Sequence, residues 1–184
     1  MILPIVAYGS PVLRKIATDI TAEYPGLSKL LDDMWETMYN SNGVGLAAPQ
    51  INKDIRLFVM DSEQIFDNQD DDEKGIYPDE PGFKGVFINA HIVELNGDKW
   101  TYNEGCLSIP KVREDVMRHQ SVTIDYVDEN FSFIENIVIG FDGILTNSSN
   151  NVSSSVIFNT IDNNNIYYGH EYSQVSFPSN FSEF

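Results

Sequence analysis

Apolar positions along the first three quarters of the chain repeat with a helical period once and in strand-like runs several times. Ser10 ahead of Pro11-Val12-Leu13-Arg14-Lys15-Ile16 predicts a short capped helix with proline at its first position. Over residues 25–40, Leu27, Leu30, Leu31, Met34 and Met38 share one face, the pattern of a longer amphipathic helix. Ile55-Arg56-Leu57-Phe58-Val59-Met60 predicts a buried strand from its length and its β-branched and aromatic content. The runs Val86–Val93 and Ser121–Val127 predict two more strands, and Phe133–Ile139 a further one. Residues 62–82 contain Asp70-Asp71-Asp72-Glu73 with Pro78, Pro81 and Gly82, which predicts a solvated acidic loop. That run lacks the glycine-punctuated spacing of a cation loop. Strands around one or two early helices predict an α+β fold.

Beyond about residue 140 the pattern changes. Asn and Ser crowd Thr146–Ser155 and recur in Asp162-Asn163-Asn164-Asn165, where they favour loop or irregular strand over helix. All 11 Lys and Arg lie at or before Arg118. Two readings stay open: an ordinary polar tail, or sequence foreign to the domain, as a frameshift in AT-rich coding DNA produces. Val156-Ile157-Phe158 and Ile166-Tyr167-Tyr168 are the apolar runs left there to cover a sheet.

Composition narrows the function classes. At 184 residues and 42% hydrophobic content, the chain suits one domain with a real core. A formal charge of -17 argues against nucleic acid or an anionic membrane as partner. The single cysteine, Cys106, cannot build an internal disulfide and fits a reducing compartment. No apolar run reaches membrane-span length, and Met1–Val6 lacks the basic leader of a signal peptide, so a cytoplasmic location is expected.

The chemistry concentrates in two segments. In Gly43-Val44-Gly45-Leu46-Ala47-Ala48-Pro49-Gln50 the glycines let backbone approach a ligand closely, and Gln50 offers a neutral donor for a developing oxyanion. Glu104-Gly105-Cys106-Leu107-Ser108 presents the lone thiol. From the residues alone, that thiol reads as a buried structural group, as a nucleophile wanting a base such as His91 or His119, or as a metal ligand.

Both segments resemble signature motifs of the peptide deformylases, metal-dependent amidases that remove formyl from nascent chains, and the resemblance covers residues 1–140. It implies antiparallel sheets with helices. It also implies Cys106 as a metal ligand, Gln50 and the Leu107 N–H as oxyanion donors, and Gly45 as a contact for substrate backbone. Glu104 becomes a supporting carboxylate behind the ligands, and Arg113 an anchor near the bound peptide. The metal would be Fe²⁺ or Zn²⁺, and the partner an N-formylmethionyl nascent peptide.

The family's third motif, H-E-x-x-H, puts two histidine ligands and a glutamate on one helix face, because residues four apart share a side. It is expected soon after Phe141-Asp142-Gly143-Ile144, yet the next histidine is His170. In His170-Glu171-Tyr172-Ser173-Gln174 a glutamine stands where the second histidine belongs. His170 as metal ligand and Glu171 as proton shuttle are the candidates this remnant offers; the alternative is a chance His-Glu pair. In the family that helix packs in the concave sheet and lines the pocket for the substrate's methionine side chain. The expectation is a deformylase-like unit over residues 1–144, a divergent C-terminal helix region over 145–184, and impaired amidase activity. The alternative is a catalytically inactive remnant or a peptide-binding scaffold.

Overall fold

The computed structural model describes residues 1–64 and 83–140. The acidic run at Asp70–Glu73, the approach Phe141–Ile144, the divergent segment and the pair His170-Glu171 lie outside the described residues. Helix α1 spans Leu27–Asn40. Five strands follow: β1 (Gly45–Ala47), β2 (Leu57–Asp61), β3 (Lys84–Cys106), β4 (Ile109–Val127) and β5 (Phe133–Gly140). They form one antiparallel sheet in the order β1-β2-β3-β4-β5. The α+β expectation holds. No helix among the described residues is long and apolar enough to cross a membrane.

Several boundaries differ from the sequence pattern. The first predicted helix is a single 3-10 turn, Pro11–Arg14, and Ser10 makes no side-chain cap. Four residues cannot repay helix nucleation, so tertiary contact of the buried Val12 carries the turn. α1 starts at Leu27 because Gly26 takes a left-handed conformation (φ 73°) that excludes it from the helix. Strands β3 and β4 run much further than their apolar cores. Their outer halves pair with each other through polar sequence, where backbone bonding rather than burial sets the length. The Gly-Ala segment contains β1.

Alternation along β2 divides the core into two layers. Leu57 and Val59, with Val86 and Ile88 of β3, face α1 and meet Leu30, Met34 and Met38. Phe58 and Met60 point the other way and join Phe87, Ala90, Val122, Ile124 and Tyr126. The period-2 geometry of a strand makes this split obligatory. All five β2 residues are buried, which is why this strand reads as a continuous apolar run. In the second layer Phe58 stacks on Phe87 with centroids 4.5 Å apart, and Tyr126 tilts against Phe87 at 4.6 Å.

Asn89 interrupts β3 at φ 52°, within a register shift between Ile88 and His91. Its side chain accepts from Ile20 N–H at 2.9 Å and donates to the Ile20 carbonyl at 2.8 Å. Its own N–H donates to the Arg56 carbonyl at 2.8 Å. Asparagine tolerates the left-handed region better than most residues, so the irregularity doubles as an anchor for the segment around Ile20.

Candidate functional site

The end of α1 delivers the Gly-rich segment. Ser41 N–H bonds back to Thr37 and Met38, Asn42 turns left-handed at φ 53°, and Gly43 N–H closes on the Met38 carbonyl at 3.0 Å. This left-handed C-terminal closure points Gly43 away from the helix axis and into β1. Gly45 then pairs with Met60, and Ala47 with Phe58. A 3-10 turn, Ala48–Ile51, with Pro49 near its start, carries Gln50. The Gln50 carboxamide oxygen accepts from Ala47 N–H at 2.9 Å, which turns its Nε2 outward, 3.9 Å from the Cys106 sulfur.

Cys106 is the last residue of β3. It pairs with Ile109 across a turn made by Leu107 and Ser108, so the second motif is the bend of the long hairpin. The register jumps from Gly105↔Arg113 to Cys106↔Ile109, and Lys111 takes φ 67° within the excess residues. Such a bulge re-aims the strand end next to it.

Glycines stand where the two motifs touch. A Cβ on Gly43 would sit 2.8 Å from Cδ1 of Leu107. Gly105 does the same for Arg113: a Cβ there would lie 3.0 Å from Nη1, so the guanidinium lies across the backbone beside Cys106. Thus Gly45, Gln50, Cys106 and Leu107 fall on the two segments that meet here, and Arg113 reaches them from β4, paired with Gly105.

Glu104, two residues before Cys106, is buried and held by Arg118. Arg118 Nε donates to Oε1 at 3.0 Å and Nη2 to Oε2 at 3.3 Å, with both side chains under 9% exposed. A two-point guanidinium–carboxylate fork fixes orientation as well as charge. The pattern of the sequence pointed to Glu104 and missed Arg118, whose partnership depends on strand register. It also missed Gln64, whose Nε2 donates to the Gly43 carbonyl at 3.1 Å and to that of Asp61 at 2.9 Å.

A second polar cluster braces the same segment from below. The Tyr39 hydroxyl donates to Asp61 Oδ2, and Lys84 Nζ lies 3.7 Å from that oxygen. Lys84 also sits over the rings of Trp35 and Tyr39, 4.9 and 5.2 Å from their centroids. Burial, then the bond to Asp61, pushes the Tyr39 hydroxyl above its ordinary pKa. The bond with Tyr39 raises Lys84.

The histidines considered as bases for a nucleophilic thiol are engaged elsewhere. His91 Nδ1 faces Arg56 Nη1 at 3.4 Å, with Asp19 Oδ2 3.8 Å from Nε2, and His119 lies on the Gly97 carbonyl at 3.0 Å. Among the described residues no group of three or more His, Cys, Asp and Glu could hold a metal. They contribute one donor of the expected set, Cys106; His170 lies outside them.

Comparison with known proteins agrees with this geometry. The family described as Polypeptide deformylase matches residues 2–151. A peptide deformylase of Flavobacterium johnsoniae is 52% identical over 148 residues, 79% of this chain and 72% of that protein. One from Christiangramia forsetii is 51% identical over 133 residues, 71% of this chain and 66% of that protein. The crystal structure of peptide deformylase from Ehrlichia chaffeensis superimposes with a TM-score of 0.68 at 26% identity, covering 89% of this chain and 83% of that one. Two motifs meeting at Gln50 and Cys106, a family match over most of the chain and a shared fold have one explanation: the chain belongs to the peptide deformylase family.

Proposed function

We propose that this chain is a deformylase-type hydrolase for N-formylmethionyl peptides whose hydrolytic output is impaired by the change in its third motif. The carrying observation is the approach of Gln50 Nε2 to the Cys106 sulfur, which brings the first and second motifs into one site. In this reading Gln50 Nε2 and the Leu107 N–H hold the carbonyl oxygen of the formyl group as it gains charge. Gly45, buried on the edge strand β1, would meet the peptide through its backbone, and Arg113 beside Gly105 anchors the chain beyond the methionine. Glu104 and Arg118 brace Cys106 from beneath.

The metal is where the chain departs from an intact deformylase. An open catalytic site takes three protein ligands and leaves a fourth position for water. Cys106 supplies one. His170 is the sole histidine after His119, and Gln174 occupies the place of its partner. Glutamine oxygen is a poor substitute for imidazole toward Fe²⁺ or Zn²⁺. The family match ends at residue 151, ahead of His170 and Glu171. In this reading residues 1–144 are the deformylase-like unit and 145–184 a divergent segment, in a cytoplasmic protein that meets nascent peptides.

The test is metal content per chain after anaerobic purification, with hydrolysis of an N-formylmethionyl tripeptide measured on the same samples. Wild type, Cys106→Ser and His170→Ala are compared. Fe or Zn held substoichiometrically by wild type, lost in Cys106→Ser, together with slow hydrolysis, supports the impaired enzyme. Tripeptide binding without hydrolysis or metal supports a peptide-binding remnant. Hydrolysis at the full rate of an intact deformylase overturns the impairment.

A further inference from the structure

Two backbone hydrogen bonds tie the N-terminal segment to both motifs at once. Val6 N–H donates to the Gln50 carbonyl at 2.8 Å, and Tyr8 N–H donates to the Ser108 carbonyl at 2.8 Å. In extended chain, N–H groups two residues apart leave from the same edge. Through these two amides Val6–Tyr8 faces the 3-10 turn of Gln50 and the hairpin bend of Leu107-Ser108 together. The segment is held independently of the site. Leu3 and Ile5 pack into the helix-side core, and Leu3 N–H donates to Thr37 Oγ1 at 2.8 Å. At its other end Ser10 N–H closes on the Ala7 carbonyl at 3.1 Å.

The sheet alone couples the two motifs by a long route. β1 hangs on β2, β2 pairs with β3 only over Lys84–Ile88, and Cys106 lies at the far end of β3. Register shifts interrupt β3 along the way. Small changes in twist at each would alter where the hairpin bend ends up relative to Gln50.

We propose that the N-terminal segment is a positioning strap for the site: the Val6 and Tyr8 amides lock the Gln50 turn to the Ser108 bend and so set the Gln50–Cys106 gap. This rests on reading Gln50 and Cys106 as site residues. Val6 and Tyr8 are positioning residues that act through backbone N–H groups, which explains why no side-chain motif marks them.

Cys106, the single cysteine, reports on the gap without any need for activity. The full chain is alkylated with iodoacetamide at fixed pH, and the rate is followed by mass. Val6→Pro and Tyr8→Pro delete the donors; Val6→Ala and Tyr8→Phe keep them. With circular dichroism unchanged, the proline variants should alter the rate about fivefold, the shift that loss of one net hydrogen bond permits. Val6→Ala and Tyr8→Phe should keep the wild-type rate. Folded proline variants at the wild-type rate overturn the strap, as do alanine and phenylalanine variants that shift it equally. Should the proline variants not fold, amide hydrogen exchange on the unmutated chain decides. Alkylating Cys106 should speed exchange at Val6 and Tyr8 about fivefold by weakening these bonds, with the Met60 amide unchanged. Equal exchange before and after alkylation overturns the proposal. Rates are compared on samples of equal metal content, because a metal-bound thiolate is alkylated more slowly; loss of hydrolysis alone bears on the reading of the site and moves neither readout.

Discussion

Gly43 and Leu107, one from each motif, are in contact so close that a single added carbon would collide: a Cβ on Gly43 would stand 2.8 Å from Leu107 Cδ1. Leu107 is partly buried against the helix-side core, so moving its Cδ1 aside disturbs that packing. Gly43→Ala should therefore destabilise the fold by about 1–3 kcal/mol, the usual range for overpacking. Leu107→Ala in the same chain should recover part of that loss. Urea denaturation of both single variants and the double variant measures the coupling; strictly additive effects would show that the contact is not felt.

Arg118 should matter more than any exposed cation. Replacing it by alanine leaves the Glu104 carboxylate buried with its fork removed, a loss of about 3–5 kcal/mol for a broken buried pair. Replacing both, with Glu104→Leu and Arg118→Met, should be far milder than Arg118→Ala alone, because no charge is then stranded. Chemical denaturation checks the ranking.

Alkaline pH should loosen the brace beneath the Gly-rich segment. Lys84 is raised above its ordinary value of 10.5, chiefly by its bond with Tyr39. Tyr39 is raised above 10.0 by burial and by its bond to Asp61. Both groups bind their protons more tightly in the folded chain. Their contribution is thus complete below the unfolded values and is lost as pH rises through the folded ones. The urea midpoint should fall above about pH 10, and Tyr39→Phe should reduce that fall. A midpoint that falls equally in Tyr39→Phe would remove the cluster from the explanation.

Asn89 should separate backbone strain from side-chain bonding. Asn89→Gly keeps the φ 52° conformation but loses both bonds to Ile20, costing about 1–3 kcal/mol. Asn89→Ala loses the same bonds and also strains the backbone, adding about 1–2 kcal/mol. Thermal melting of the two variants tests the order; alanine as stable as glycine would show that the strand relaxes.

The local pattern of this sequence settled whatever depends on near neighbours. The spacing of Leu30, Met34 and Met38 determines which face of α1 is buried, and the apolar run at Leu57–Met60 makes β2 a central strand. Gly43–Gln50 and Glu104–Ser108 carry their chemistry in consecutive residues, so both were legible before any fold was known. Tertiary structure decided what depends on register and chain crossing. Arg118 reaches Glu104 because antiparallel pairing folds β4 back on β3. Gln64 finds Gly43, and Val6 and Tyr8 find Gln50 and Ser108, through bonds to main-chain atoms that every sequence possesses. A backbone carbonyl carries no residue-specific signal, so such contacts become visible only once the chain has closed on itself.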